Sequence, residues 1–373
     1  MASMILGLRR AMAFAWKWRG GATGIPALES EVERGDRQVP ATLLRPDGRS
    51  SPLPGWVVLH GVTRPGRHHP TLLRFARALA GSGASVLVPE IPEWRELDLA
   101  PEEAAATVRA SVLHLDERED VLPGRIGIMG FSLGVPQVLL AAADPALAGH
   151  LRGVAGFGGY GSLDRTLHFL FLGEHEWEGR THRVDTDPYG RWVIGGNYLT
   201  RTPGFEAAED VALALLELAR QAGDLQVGAW EARFDSLKAE LEGGIHPSRR
   251  LLYRAFTSPE RAGRNGGPPK GFLRDLAGTL AETIRRETPS AEPTRFLDRI
   301  SLPVRLVHGR GDRLIPYSET LRLVEAFPRD KDVRAYLTGL FSHSQVDEEP
   351  PLGGVVAEQL QFLRMLSDLL TLV

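Results

Sequence analysis

The feature that most constrains this 373-residue chain is an alternation. Short apolar runs with β-branched residues are separated by helix-length patterned segments from about residue 56 to residue 157, and the alternation resumes after residue 303. The spacing predicts strands at Trp56 to His60, Ser85 to Pro89, Arg125 to Met129 and Gly153 to Phe157. Helices are expected between them at Pro70 to Ala80, Pro101 to Arg118 and Leu133 to Ala143. Strands joined by helices of that length require right-handed crossovers, and so a mostly parallel sheet covered on both faces. Two earlier strands, Leu28 to Arg34 and Val39 to Arg45, are separated by the turn-forming pair Gly35-Asp36. The rhythm returns with Pro303 to His308, a helix at Tyr317 to Phe327, Val333 to Leu337 and a final helix from about Leu352 to Leu370.

Between these two blocks the texture changes. Residues 164–293 are dominated by helix-like patterns, among them Glu206 to Ala222, Gly228 to Leu241 and Phe272 to Arg286, broken by Gly- and Pro-rich loops such as Ala262 to Lys270. A core interrupted by a helical insertion also suits the length, which exceeds that of an ordinary single domain. The expected organisation is an N-terminal amphipathic segment at 1–24, a first core part at 25–163, the insertion at 164–293 and a second core part at 294–373.

Composition narrows the chemistry. With no cysteine, disulfides, thiolate metal sites and thiol nucleophiles are excluded. A net charge of -3, from 44 basic and 47 acidic residues, gives no footprint for nucleic acid. The first twenty residues carry Arg9, Arg10, Lys17 and Arg19 and no acid, but no apolar run long enough for a signal sequence or a membrane span. The expectation is a cytoplasmic protein. On a helical wheel Met4, Leu8, Met12, Ala15 and Trp18 share one face, which offers peripheral contact with an anionic membrane; the default is a helix docked on its own domain.

The sharpest local signal is Gly130-Phe131-Ser132-Leu133-Gly134, lying directly between an expected strand and an expected helix. A nucleophile on a strained strand-to-helix turn needs small flanking residues, because neighbouring backbone approaches closely there. A serine hydroxyl also needs a base to take its proton. His343, in Gly339-Leu340-Phe341-Ser342-His343-Ser344 after the last strand, is the candidate among eleven histidines. A carboxylate must then orient the imidazole, and Asp312, at the end of His308-Gly309-Arg310-Gly311-Asp312, is suitably placed; the alternative is an ion pair with Arg310 or Arg313. The oxyanion of an acyl-transfer step needs backbone donors. Leu133 N–H is one, and His60-Gly61-Val62-Thr63 offers Val62 N–H, ahead of Thr63, as the second, with His60 in a structural hydrogen-bonding role. Such chemistry needs no metal or cofactor. The sets His60, His68 and His69, or His175, Glu176 and His182, lack the spacing of ligands on one helical face.

With HGV, GFSLG, HGRGD and SHS in that order at strand ends, the chain resembles the α/β-hydrolase superfamily over about Leu28 to Gly159 and Phe296 to Val373. The resemblance implies an eight-stranded, mostly parallel sheet, a helical cap inserted before the strand carrying the acid, and a Ser-His-Asp mechanism. A serine at position 132 disfavours the members that place Asp or Cys there. The expected activity is that of a carboxylesterase acting on a small acyl ester. Thioesterase, acyltransferase and serine peptidase are alternatives on the same residues, and a non-catalytic binding protein is the alternative of another class. Phe169, Leu170, Phe171, Leu172, Trp177, Trp192 and Tyr198 are either the insertion's own core, the preferred reading for most of them, or the lining of an acyl pocket.

Overall fold

The structure is a computed structural model that describes residues 2–20, 24–48, 51–259, 267–339 and 352–373. A helix α1 (Ala2–Gly20) precedes two strands, β1 (Ala27–Arg34) and β2 (Arg37–Leu44). There follow β3 (Leu53–Leu59), α2 (Pro70–Gly81), β4 (Ser85–Pro89), a short α3 (Pro92–Arg95), α4 (Pro101–Asp116), β5 (Val121–Phe131), α5 (Gly134–Ala142) and β6 (Leu151–Phe157). Next come α6 (Leu163–Leu172), a hairpin of β7 (Glu174–Trp177) and β8 (Arg180–Arg183), α7 (Tyr189–Tyr198), α8 (Glu209–Leu225), α9 (Phe234–Gly244), α10 (Arg250–Thr257) and α11 (Lys270–Glu287). The chain closes with β9 (Val304–Gly309), α12 (Tyr317–Ala326), β10 (Val333–Thr338) and α13 (Leu352–Leu370).

Eight strands form one sheet in the order β1-β2-β4-β3-β5-β6-β9-β10. β1 and β2 run antiparallel, β2 meets β4 antiparallel, and every pairing from β4 to β10 is parallel. The segment between β6 and β9 leaves the sheet and returns to the strand beside the one it left. Both the eight-stranded, mostly parallel sheet and the interruption before β9 match what the resemblance implied, and the chain has the α/β-hydrolase fold. Helix boundaries in the interruption moved most. Gly228 to Arg233 forms turns before α9, and α6, α7, α10 and the hairpin were not distinguished in the sequence. Their runs are short, eight to ten residues in the three helices and four in each hairpin strand, too few for a period to stand out in the sequence.

Because successive side chains on a strand point to opposite faces, the central strands feed two separate cores. Val57, Leu59, Ile126, Ile128, Val154 and Leu306 pack under α4, α5, α12 and the inserted helices. Trp56, Val58, Met129, Ala155, Phe157 and Val307 pack under α1, α2 and α13, where Met365, Leu366, Leu369 and Leu370 supply the inner face of the last helix. All these strands are buried on both sides, which is why they read as continuous apolar runs.

Helix α1 is docked on the protein, through a face other than the one drawn on the wheel. Its inner side is Gly7, Ala11 and Phe14, joined by Trp18, whereas Leu8 and Met12 point outward. Close approach selects this face: a Cβ on Gly7 would sit 2.5 Å from Ser367 Oγ, and Arg10 donates to the backbone carbonyls of Leu370 and Val373. Small residues decide the contact, not the largest ones. The side chain of Met4 lies outside the described residues. Among the described residues, no helix is long and apolar enough to cross a membrane.

Ile128→Ala, in the middle of β5 and fully buried, is expected to destabilise the protein by about 2–5 kcal/mol, seen as a lower urea midpoint. Leu213→Ala, on the exposed side of α8, should stay within about 0.5 kcal/mol of the parent.

Candidate active site

Parallel pairing sends the loops after β3, β5, β9 and β10 to the same edge of the sheet. The register ties them to one level: Leu59 is opposite Gly130, Phe131 opposite Phe157, Phe157 opposite Val307, and Leu337 opposite His308. Ser132, the segment 60–64 and Asp312 all follow those positions, and in the sequence His343 comes after β10. His343 itself lies outside the described residues.

Ser132 stands at the tip of the turn between β5 and α5 with φ +55°, a left-handed conformation that L residues other than Asn and Asp rarely adopt. The turn is held from both sides. Ser132 N–H donates to the Phe157 carbonyl (2.8 Å), extending the sheet ladder by one bond, and the Ser132 carbonyl accepts from Val135 N–H (3.0 Å) at the start of α5. A Cβ on Gly130 would come within 2.3 Å of the Gly134 carbonyl oxygen, and one on Gly134 within 3.4 Å of both Leu59 Cβ and the His60 carbonyl oxygen. The two glycines recognised in the sequence are therefore what lets β5, α5 and the end of β3 converge. Leu133, with φ −58° and ψ −18°, is already helical, so its N–H opens the α5 turn beside the serine.

The segment after β3 runs alongside: a Cβ on Gly61 would lie 3.6 Å from Ser132 Cβ. Buried His60 fixes its conformation. His60 Nδ1 lies 2.7 Å from the Gly61 carbonyl oxygen, an acceptor, so Nδ1 carries the proton. In a planar trans peptide the next N–H points the opposite way, so Val62 N–H is directed away from the His60 ring. Tyr189 of α7 donates its hydroxyl to the Val62 carbonyl (3.0 Å), holding the following peptide as well. On its other side the His60 ring receives Ile91 N–H at Nε2 (3.1 Å), approaches Glu90 Oε1 (3.2 Å) and meets Trp94 edge to face. Burial pushes the Glu90 carboxyl up, and the Arg67 backbone N–H and the Arg95 charge act the other way. His60 thus has the structural role expected of it.

Asp312 is buried after β9. Its Oδ1 accepts from Leu314 N–H (2.8 Å) and Ile315 N–H (3.0 Å), while Oδ2 lies 3.3 Å from His308 Nε2. Nε2 is also 2.9 Å from the Ile315 carbonyl oxygen, and two acceptors there mean that it bears the proton; Nδ1 faces Thr320 Oγ1 at 2.6 Å. Arg310 instead binds Glu358, and Arg313 donates to the Asp185 carbonyl and lies over Trp230. Sequence reasoning missed His308 and Tyr189. The only available signal for His308 was a histidine at the end of the mostly apolar run Pro303 to His308, and for Tyr189 there was none.

The inserted segment touches both loops. Arg64, just past Val62, pairs with Asp224 at the end of α8 (2.9 Å), and Asp187 N–H donates to the Arg313 carbonyl (2.9 Å). The β7–β8 hairpin rests on the start of α12. There His175 and His182, directly opposite each other on the two strands, stack with centroids 4.9 Å apart, and His175 Nδ1 lies 3.0 Å from Ser318 Oγ. Burial, followed by the neighbouring His182 and Arg322, pushes the His175 pKa down to about 4 from an ordinary 6.5. Phe169, Leu170, Phe171, Trp192 and Tyr198 are buried in the interior, with Phe171 against Phe256 and Trp192 against Phe234. Leu172 packs on that core and Trp177 sits at its margin beneath Arg322.

No family model matches the chain, and no curated protein matches it. Among solved structures it is similar to a 2,6-dihydroxy-pseudo-oxynicotine hydrolase, with 16% identity and a TM-score of 0.47 over 93% of this chain and 67% of that one. It is also similar to Est1E from Butyrivibrio proteoclasticus with ferulic acid bound, at 13% identity and TM-score 0.47, covering 92% of this chain and 96% of the other. A third is brefeldin A esterase, described as a bacterial homologue of human hormone-sensitive lipase, at 16% identity and TM-score 0.46 over 97% and 84% of the two chains.

Two measurements check this geometry. Gly130→Ala forces a Cβ into the α5 backbone and should abolish accumulation of folded protein, whereas Gly278→Ala, with open space around it on α11, should be neutral or stabilising by up to about 1 kcal/mol. For His175, a folded pKa below the unfolded one means that the unfolded chain binds more protons between the two, so stability falls as pH drops from 6.5 toward about 4. That fall in thermal midpoint should be smaller in His175→Gln.

Proposed function

We propose that this chain, an α/β-hydrolase superfamily member by its fold, is a serine hydrolase that cleaves a carboxylic ester through an acyl-enzyme, with Ser132 as nucleophile, His343 as base and Asp312 as the residue that orients it. The observation that carries the reading is Ser132 itself, held at φ +55° on the β5–α5 turn, at the sheet edge where a buried, hydrogen-bonded Asp312 follows β9. A left-handed serine wedged between two close-packed glycines is a strained arrangement, of the sort that cores avoid unless a side chain must be presented. β10, after which His343 follows in the sequence, lies parallel to β9 and ends at the same edge.

In this mechanism His343 takes the Ser132 proton as Oγ attacks the ester carbonyl, and the N–H groups of Leu133 and Val62 receive the negative oxygen of the tetrahedral intermediate. Collapse expels the alcohol, which leaves with the proton held by His343. Water then attacks the acyl-serine and gives its proton to the same imidazole, which passes it to Ser132 Oγ as the acid departs, restoring the free serine and neutral His343. Asp312 stays ionised throughout and stabilises the imidazolium. The two backbone N–H bonds to its Oδ1 fix the plane of the carboxylate. Residues 164–293 act as the cap that shapes the substrate site, in keeping with their bonds to Val62 and Arg64 on one side and Arg313 and Ser318 on the other.

A fluorophosphonate probe should label the intact protein and leave Ser132→Ala unlabelled, and Ser132→Ala should reduce hydrolysis of p-nitrophenyl esters to background. Labelling of the alanine variant would place the nucleophile elsewhere, and no labelling of the parent would favour a binding protein. Asp312→Asn is expected to lower kcat by about 10⁴-fold. Tyr189→Phe, which loosens the Val62–Thr63 peptide next to the Val62 N–H, should lower kcat by roughly tenfold, less than the loss of a whole oxyanion donor, with KM little changed.

A further inference from the structure

Helix α1 is fixed along one side and bare along the other. Gly7, Ala11 and Phe14 are packed inward, Arg10 is bonded to the carbonyls of Leu370 and Val373, and Arg74 of α2 donates to the Trp18 carbonyl at the helix end while lying over the Trp18 ring. The helix cannot roll to hide its other face. On that face Ile5, Leu8, Met12 and Trp16 follow one another at three- and four-residue steps, a single stripe, with Leu6 beside it. They are 55%, 49%, 59% and 78% exposed, and Trp16 is the most exposed large apolar side chain among the described residues. Exposed Arg9 lies along one side of the stripe and exposed Arg19 continues it at the helix end, and α1 contains no acid.

We propose that this outer face of α1 docks the protein on an anionic lipid surface. An apolar stripe edged by arginines matches an interface in which acyl chains lie beside negative headgroups, and an exposed tryptophan prefers that boundary over either pure phase. A second copy is the poorer occupant. A two-fold contact through the same face would set Arg9 and Arg19 of one protomer against those of its partner, with no acid on either helix to neutralise them. A helix already folded and anchored also gives up no folding free energy on binding, unlike a free amphipathic peptide. The inference is independent of the hydrolase reading, and its test does not use activity.

The full chain is sedimented with vesicles of equal parts phosphatidylglycerol and phosphatidylcholine, and separately with phosphatidylcholine alone. Binding to the anionic vesicles is expected, weakening with salt, and little to the neutral ones. Leu8→Ser/Met12→Ser/Trp16→Ser changes only exposed positions and should reduce partitioning by about tenfold or more. Arg9→Gln/Arg19→Gln should reduce it by roughly thirtyfold at low salt, from about 1 kcal/mol per charge at an anionic surface. The proposal is overturned if the parent stays in the supernatant with anionic vesicles, or if the serine variant sediments as the parent does. It is equally overturned if light scattering without lipid shows a dimer that the serine variant converts to a monomer, which would assign the face to self-association.

Discussion

The turn from β5 into α5 is the constraint around which the rest is arranged. Its backbone is pulled into the left-handed region at Ser132 and kept there by one bond to β6, one bond into α5, and a convergence of three backbone segments that any side chain on Gly130 would block. Left-handed backbone costs an L residue about 1–2 kcal/mol, so the turn persists only because the fully buried Ile126 and Ile128 below it and Val135 beyond it anchor both ends. The loops after β3 and β9 then take their places relative to a serine that cannot move.

Support for that edge comes from buried polar groups that share a plan. His60 holds the Gly61 carbonyl and is braced by Ile91 and Glu90; His308 contacts Asp312 and is braced by Thr320 and the Ile315 carbonyl. Each imidazole ends a buried strand and is bonded on both nitrogens. In a low-dielectric interior a half-satisfied ring would be costly, whereas a fully bonded one orients its neighbour rigidly. Rings also connect the far side of the sheet to the elbow: Phe14 of α1 meets Phe75 of α2, and Phe75 meets both Phe131, which precedes Ser132, and Phe157. The N-terminal helix is thereby part of the second core and covers a sheet face that α2 and α13 share with it.

Much of the core was legible because its signals are local. Strand and helix limits from β3 to β6 fell within a few residues of the observed ones, except for β5, which starts four residues earlier at Val121, since apolar runs and Pro or Gly breaks report burial directly. The insertion was legible only as a change of texture. Its helices α6, α7 and α10 are only 10, 10 and 8 residues long, too short for a period to stand out in the sequence, and the β7–β8 hairpin has polar strands whose partner, α12, is more than a hundred residues away.

What the sequence by itself determined was the fold class, through the spacing of its strands and helices, and the place of Ser132 between its two glycines on a strand-to-helix turn, because both depend on residues close together in the chain. Asp312 was also found by chain order, although its bonds to Leu314, Ile315 and His308 were not. Only the tertiary structure decided that Tyr189 would hold the Val62 peptide, that His175 would stack on His182 above Ser318, and that α1 would turn Phe14 inward and Trp16 outward. The helical wheel had favoured a different face of α1, because hydrophobicity alone does not say where a neighbour can approach. A contact is chosen by the shape of both surfaces, and the surface that α1 meets, built by Ser367, Leu370 and Val373, comes from the opposite end of the chain.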